Sequence, residues 1–182
     1  MVIKAAKGKK SKIFEPNPID EWVGSEYVPL FKILYYTGCR IGEASALRGE
    51  NICDEFFSVE WHEERSLKTA NSVRDIPIHP KLAAVIDSLR GTKGFLWPQL
   101  KTMKIVDGIE VVRWGHNLAK PCKKVTGLRP KDFRDRFAMQ LRSLNFNRVN
   151  IDRLMGHSAT AINSSYGGSD WSKYVQMIHA IQ

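Results

Sequence analysis

The chain has 182 residues, 43% of them hydrophobic, which is enough for one ordinary domain to bury its own core. This content excludes an intrinsically disordered chain, and the sequence lacks the run of about 18 apolar residues that a membrane-spanning helix needs. Twenty-eight Lys and Arg residues against 19 Asp and Glu give a net charge of +9, which favours a polyanionic partner, most commonly nucleic acid.

The first 18 residues are predicted to be a basic linker or a residual interdomain segment that precedes a single domain at 19–182. Five lysines lie in this segment, and no apolar periodicity appears before Ile19. The domain then begins with a helix predicted at 28–36, because apolar residues recur there at helical spacing and Gly38 follows as a suitable C-cap. A second, short helix carries its apolar residues on one face: Ile41, Ala44 and Leu47.

Two short strands are predicted next, at 57–61 and 74–78, from alternating apolar and polar residues. The polar stretch between them is expected to turn a hairpin. Residues 91–112 contain three glycines and one proline, and no secondary structure is predicted for them. The remaining segments have helical periodicity, so we expect a mainly helical α+β domain with one small antiparallel sheet. The predicted helices are 80–90, 113–124, 131–144, 148–155, 159–166 and 170–181.

The helix predicted at 131–144 is expected to turn one apolar face to the core, formed by Phe133, Phe137, Leu141 and Leu144. The last helix, at 170–181, has its own stripe: Trp171, Tyr174, Val175 and Ile178. This tail helix can cover the core of its own domain. Because Gly167-Gly168 forms a flexible joint before it, it can instead dock on a neighbouring protomer.

The three cysteines, Cys39, Cys53 and Cys122, are odd in number and lack C-x-x-C spacing. This argues against a disulfide framework or a cysteine-rich zinc site, and the basic N-terminus lacks the apolar core of a signal peptide. We therefore expect a cytoplasmic protein. A metal-dependent hydrolase is disfavoured, because the motif-like stretch His62-Glu63-Glu64-Arg65 lacks the second histidine of H-E-x-x-H.

Five short segments carry side chains suited to phosphate chemistry. Each has an ordinary structural explanation when taken alone, such as an ion pair, a solvated lysine or a core tyrosine. They are Thr37-Gly38-Cys39-Arg40-Ile41-Gly42-Glu43, Lys68 with Arg74-Asp75-Ile76-Pro77, Lys131-Asp132-Phe133-Arg134, Gly156-His157 and Tyr166.

In this order and spacing the segments resemble the tyrosine recombinase (phage integrase) family. The family pattern is T-G-x-R-x-x-E, a hairpin lysine with R-x-x-P, H-x-x-R, G-H and finally Y. The resemblance covers the chain from about Val28 to Tyr166. It implies the catalytic-domain fold of that family, mainly helical with a small antiparallel three-stranded sheet.

The resemblance also implies a reaction. A tyrosine hydroxyl attacks a DNA phosphodiester, forms a 3′-phosphotyrosyl link and releases a 5′-hydroxyl, and a second DNA end reverses the step without ATP, metal or cofactor. The pentacoordinate transition state gathers negative charge on its oxygens, so positioning and fixed positive charge supply most of the catalysis. Arginine suits the non-bridging oxygens because its guanidinium is planar, always charged and bidentate.

By the same resemblance Tyr166 is the nucleophile, and Arg40 and Arg134 bind the phosphate oxygens. Lys68 would protonate the leaving oxygen, and His157 would donate a hydrogen bond to a phosphate oxygen. Glu43 would orient Arg40.

One position departs from the family pattern. Lys131 occupies the place where the family usually has histidine. A lysine is normally charged and cannot accept a proton near neutrality, so we expect Lys131 to bind phosphate as a further cation. A proton-accepting role would require burial beside Arg134.

The expected partner is double-stranded DNA, in phage or mobile-element integration or excision. We expect the chain to be monomeric alone and tetrameric on synapsed DNA. Two alternatives stay open: nicking and closing of DNA by a type IB topoisomerase-like enzyme, and a catalytically degenerate DNA-binding module. The attachment site, the direction of recombination and any accessory factor are not specified by these residues.

Overall fold

The computed structural model describes residues 15–64, 72–157 and 171–182. The described chain is mostly helical, with two small antiparallel sheets, so its class is α+β. The helices in these ranges are α1 (Val28–Thr37), α2 (Ile41–Ser45), α3 (Ala83–Leu89), α4 (Ala119–Thr126), α5 (Pro130–Ser143), α6 (Arg148–Leu154) and α7 (Trp171–His179). The helix predicted at 159–166 lies outside the described residues.

The first sheet pairs β1 (Phe56–Val59) with β2 (Arg74–Pro77), close to the two strands predicted from the sequence. The second pairs β3 (Lys101–Val106) with β4 (Ile109–Trp114), within a region that received almost no assignment. The expectation of one three-stranded sheet is therefore wrong for the described residues, which form two separate sheets of two strands each. The physical reason is that β3 and β4 satisfy each other's backbone groups, while the end of β4 packs against α2.

The prediction of a helix at 113–124 is wrong in its first half. Trp114 ends β4, and Gly115 then adopts a left-handed conformation with φ of 63°. A Cβ at Gly115 would lie 2.2 Å from Ser45 Oγ, so only glycine fits this bend against α2. A short 3-10 turn at His116–Leu118 follows, and α4 begins only at Ala119.

Helices α1 and α5 pack against each other at the centre of the core. As predicted, Phe133, Phe137 and Leu141 are fully buried, but Leu144 lies beyond the last turn of α5 and is 47% exposed. The left-handed Gly38 ends α1, as its position in the sequence indicated. A Cβ on Gly38 would meet the Phe137 ring at 2.6 Å, so the end of α1 lies directly on α5.

The tail helix α7 packs on its own domain. Met177, Ile178 and Ile181 are buried, and the carbonyl oxygen of Gln182 accepts hydrogen bonds from Tyr35 Oη at 2.7 Å and Arg136 Nη2 at 2.6 Å.

At the other end of the chain, Asn17 lies in the segment predicted to be a linker, and its N–H donates to the Thr126 carbonyl at 2.8 Å. Neither 15–64, 72–157 nor 171–182 contains a helix with the length and apolar character of a membrane span.

Candidate functional site

Arg40 is positioned by the turn between α1 and α2. The left-handed Gly38 is followed by Cys39, whose side chain is buried in the core. The N–H of Arg40 then donates to Glu43 Oε2 at 2.9 Å across the first turn of α2. The guanidinium of Arg40 also binds Glu43, with Nη1 2.7 Å from Oε1. About 29% of the Arg40 side chain remains exposed, so the cation can still meet a ligand from solvent.

Arg134, on the second turn of α5, is held by main-chain oxygens. Its Nη1 donates to the Gly38 carbonyl at 2.7 Å, and its Nη2 donates to the Met155 carbonyl at 2.5 Å. Burial, followed by the positive charge of Arg40, lowers the pKa of Arg134 to about 10, although Glu43 opposes the shift. Arg134 therefore stays charged at neutral pH while lying beside a second cation.

Arg74, at the start of β2, is the residue that the sequence prediction left out of the site. The R-x-x-P motif contains this residue, but its spacing does not predict where the side chain points. Its Nη2 lies 2.9 Å from Glu43 Oε2, and only 8% of the side chain is exposed. Burial opposes ionisation of Glu43, but the Arg74 and Arg40 contacts prevail and lower the pKa of the carboxyl group.

The end of α6 joins these three arginines. The last carbonyl groups of a helix have no partner inside it and carry the negative end of its dipole. Here three consecutive carbonyl oxygens each accept one guanidinium bond, so a single turn of main chain fixes the three cations relative to one another. The pairs are Leu154 with Arg74 Nε at 2.7 Å, Met155 with Arg134 Nη2 at 2.5 Å, and Gly156 with Arg40 Nη2 at 3.1 Å.

His157 follows directly on this turn. Its N–H donates to the Asp152 carbonyl at 2.8 Å, and its ring Nδ1 lies 3.3 Å from Asp152 Oδ1. Burial lowers the pKa of His157, and the charges of Arg134 and Arg40 lower it further, whereas the Asp152 bond opposes them. His157 is therefore neutral at pH 7. A neutral ring that donates from Nδ1 to the carboxylate has a free electron pair on Nε2.

Lys131 is more exposed than the arginines of the cluster. It is exposed on the first turn of α5 and lines an open pocket of about 220 Å³ together with Ile41, His116 and Arg129. Its exposure removes the burial on which a proton-accepting role depended. Lys68 and Tyr166 fall outside the described residues. The structure thus brings together four of the seven predicted site residues, Arg40, Glu43, Arg134 and His157, and adds Arg74.

The charge of this cluster is unbalanced. Among the described residues, Arg40 and Arg74 form ion pairs only with Glu43, and Arg134 forms none. Three guanidinium groups therefore face one carboxylate and a helix end worth at most about half a negative charge. The nearby Asp152 bonds to His157 and pairs with Arg148, so an excess of positive charge stays beside the partly exposed Arg40 and His157. Such a site can bind an anion.

The described residues contain no group of three or more His, Cys, Asp or Glu side chains that could hold a metal ion. No protein-family model matches the chain, and no curated protein matches its sequence. The fold is similar to that of the solved integrase from mycobacterium phage Brujita, with a TM-score of 0.62 and 13% sequence identity. That similarity covers 88% of this chain and 53% of the integrase, so the chain spans about half its length. At this identity the likeness identifies an integrase-like fold.

Proposed function

We propose that the chain is the catalytic domain of a tyrosine-type site-specific DNA recombinase, with residues 19–182 as the catalytic unit. The enzyme would cut and rejoin DNA strands of a phage or mobile element through a 3′-phosphotyrosyl intermediate. One observation carries the proposal: Arg40 and Arg134 lie next to each other, held by main-chain oxygens, with more positive charge around them than Glu43 can balance.

A bound phosphodiester would reduce this excess of positive charge. Two adjacent guanidinium groups repel each other, and each has been partly withdrawn from water, which is costly without an anion. A phosphodiester brings one negative charge, and its transition state places further charge on the same oxygens. The cluster therefore favours the transition state over the ground state, which is the requirement for catalysis.

The remaining roles follow from the family resemblance. Tyr166 attacks phosphorus through its hydroxyl oxygen, the bond from phosphorus to the 5′-oxygen breaks, and Lys68 supplies the proton to that oxygen. Lys131, on the exposed turn of α5, contributes a further positive charge near the DNA backbone. Glu43 positions Arg40 and Arg74 and does not touch the substrate.

The proton of Tyr166 also needs an acceptor. His157 suits this role better than Lys131, because its ring is neutral and Asp152 favours the tautomer with a free Nε2. This role is added to the expected hydrogen bond from His157 to a phosphate oxygen. The protonated ring can make that donation once it has taken the tyrosine proton.

A suicide substrate tests the proposal. On nicked duplex DNA the cut fragment diffuses away, so a recombinase accumulates as a covalent protein–DNA adduct that is visible in a denaturing gel. We expect the adduct with the parent chain and its loss in Tyr166→Phe. The matched control is Tyr174→Phe, a half-buried tyrosine on α7, which should retain it.

The substrate sequence is not specified by the chain, so DNA flanking the gene's own element is the first substrate to use. If one protomer formed the adduct and relaxed supercoiled DNA without synapsis of two duplexes, that result would identify a type IB topoisomerase-like enzyme and contradict the recombinase. Salt-sensitive DNA binding without any adduct would indicate a catalytically degenerate DNA-binding module. In the proposed reaction the chain acts on double-stranded DNA in the cytoplasm. Four copies of the chain form a tetramer on the synapsed DNA.

A further inference from the structure

The β3–β4 hairpin has two chemically different faces. In an antiparallel pair, residues directly opposite each other lie on the same face and alternate with the other face along the strand. The register therefore separates the hairpin into a Trp114 face and an Arg113 face. The Trp114 face consists of Lys101, Met103, Ile105, Glu110, Val112 and Trp114. The Arg113 face consists of Thr102, Lys104, Val106, Ile109, Val111 and Arg113.

The Trp114 face is attached to the body of the domain. Trp114 is buried, its ring lies 4.4 Å from that of Phe95, and its Nε1 donates to the Glu64 carbonyl at 2.8 Å. Lys101 forms an ion pair with Glu64 at 2.8 Å, and Glu110 adds a negative charge farther out. This face therefore has no excess of positive charge.

The Arg113 face is different. It carries two exposed cations, Lys104 and Arg113, and no acidic residue. At its outer end lies the pair Val106 and Ile109, and Ile109 is 68% exposed. Positive side chains beside exposed apolar ones suit a surface that meets a sugar–phosphate backbone and base edges.

The base of the hairpin lies next to the arginine cluster. Thr102 Oγ1 is 3.1 Å from His116 Nδ1, and His116 shares its pocket with Lys131 and with Ile41, the neighbour of Arg40 in sequence. A Cβ on Gly42 would lie 3.8 Å from the Trp114 carbonyl, so β4 ends against α2. The Arg113 face thus continues at its base into the pocket that Lys131 and Arg129 line.

We propose that this hairpin is a DNA-binding ribbon whose Arg113 face contacts the duplex beside the bound scissile phosphate. Strands of six residues extend for about 20 Å, and a two-stranded ribbon fits a major groove about 12 Å wide. Lys104 and Arg113 bind backbone phosphates, and Ile109 contacts apolar parts of the groove. This inference rests on the proposed function for the position of the DNA.

The charge of the Arg113 face decides between DNA and a protein partner. Protein interfaces are depleted of charge at their centres, whereas DNA-binding surfaces are rich in unpaired Lys and Arg. A second copy of this chain, itself positively charged, would repel Lys104 and Arg113. The less basic Trp114 face, with Met103 and Ile105, is the one that a protein partner would prefer.

The test measures DNA affinity of the full chain by fluorescence anisotropy with a labelled 30-base-pair duplex at several salt concentrations. The variant is Lys104→Ala/Arg113→Ala. The matched control, Lys81→Ala/Lys93→Ala, removes two exposed cations elsewhere on the domain, so its net charge changes equally. Circular dichroism verifies folding of both.

We expect the hairpin variant to bind roughly ten to thirty times more weakly near 0.15 M salt, with the slope of log K against log salt reduced by about two. The control should change affinity less than threefold. Lys104→Arg/Arg113→Lys, which keeps both charges, should retain binding.

The outcomes separate this inference from the proposed function. Equal losses in the variant and the control would mean that only net charge matters, and the ribbon would be wrong. If Met103→Ser/Ile105→Ser weakened DNA binding and Lys104→Ala/Arg113→Ala did not, the Trp114 face would contact the DNA, and the assignment of the Arg113 face would be wrong. Adduct formation on the nicked substrate is scored independently. If the parent chain forms the adduct and the hairpin variant binds DNA as tightly as the parent, only the ribbon proposal is wrong. If the hairpin variant alone loses DNA affinity and no adduct forms, only the recombinase proposal is wrong.

Discussion

Glu43 Oε2 lies 2.9 Å from Arg74 Nη2, and less than a tenth of either side chain is exposed. This buried pair connects α2 to β2. We expect Glu43→Gln to lower the free energy of unfolding by about 3–5 kcal/mol, because it leaves the buried Arg74 charge without its carboxylate. Urea denaturation followed by circular dichroism measures the change.

The control for this variant is Lys101→Ala, which breaks the Lys101–Glu64 pair, where about a third of each side chain or more is exposed. We expect a loss of at most about 1 kcal/mol there, because solvent screens such pairs. Similar losses in the two variants would show that burial does not strengthen the Glu43–Arg74 pair.

Arg134→Lys should reduce the rate of adduct formation roughly 100-fold or more. A lysine ammonium cannot present two parallel donors, so it cannot bind the Gly38 and Met155 carbonyls and also face a phosphate. Single-turnover kinetics on the nicked substrate give the rate. Arg142→Lys, at an exposed position of the same helix, is the control and should react at the parent rate.

Gly38→Ala should cost at least about 2 kcal/mol of stability. The residue has φ of 63°, and an added Cβ would come within 2.6 Å of the Phe137 ring. Gly91→Ala separates backbone strain from the steric clash, because Gly91 has φ of 79° and no atom lies within 4 Å of the added Cβ. There we expect only the backbone strain of about 1 kcal/mol. If thermal melts gave both variants the same shift in Tm, the close packing of α1 on α5 would be refuted.

The rate of adduct formation should depend on neutral His157. Burial holds its pKa below the ordinary value of about 6.5, so the rate should be constant above that pH and fall as the ring becomes protonated below it. The Asp152 bond raises this pKa, so Asp152→Asn should move the fall to lower pH and reduce the maximal rate. His116→Gln, at an exposed ring, should leave the pH profile unchanged. A parent rate that stays flat to pH 5 would contradict proton acceptance by His157.

Attachment of the tail helix should weaken in acid through His79. Its Nδ1 accepts from the Lys81 N–H at 3.0 Å and its Nε2 lies 3.1 Å from the Ile181 carbonyl, which suits the neutral ring with its proton on Nε2. Burial lowers the pKa of His79, and the neighbouring His179 and Lys81 charges lower it further, although the Ile181 bond opposes them. The folded protein therefore binds this proton less readily than the unfolded chain.

The contribution of His79 to stability is complete above about pH 6.5 and is lost as pH falls through the lower pKa of the folded state. Hydrogen exchange of α7 and urea denaturation between pH 5 and 8 measure this loss. His79→Gln should reduce the pH dependence, since glutamine does not titrate, whereas His116→Gln should preserve it. No difference between the two variants would exclude His79 as the cause.

Helices with a one-sided apolar pattern were predictable from the sequence, as Phe133, Phe137 and Leu141 of α5 illustrate. The β3–β4 hairpin was missed because apolar residues occupy both of its faces, which conceals the alternation of a half-buried strand. The one local signal was Asp107-Gly108, a pair typical of tight hairpin turns, and both residues have positive φ. The predicted start of the next helix failed because packing of Gly115 against Ser45 is a contact between distant parts of the chain.

In the candidate site, too, local contacts were predictable from the sequence and contacts between distant parts of the chain were not. Arg40 with Glu43 is a local pair, and the family pattern selected Arg134 and His157. Two partners of Arg74, Glu43 and Leu154, lie 31 and 80 positions away, and no spacing along the chain encodes such contacts. The exposure of Lys131 likewise depends on which side of the first turn of α5 faces the core.

The turn 154–156 at the end of α6 has a mechanical consequence. Its carbonyl oxygens do not titrate and belong to no replaceable side chain, so neither acid nor substitution within the turn would remove these acceptors while its shape survives. Unwinding of this turn would instead remove one acceptor from each of the three guanidinium groups at once, and among the described residues these groups would keep only their bonds to Glu43, Ser72 and Gly38. Order at the end of one short helix therefore affects the position of all three cations.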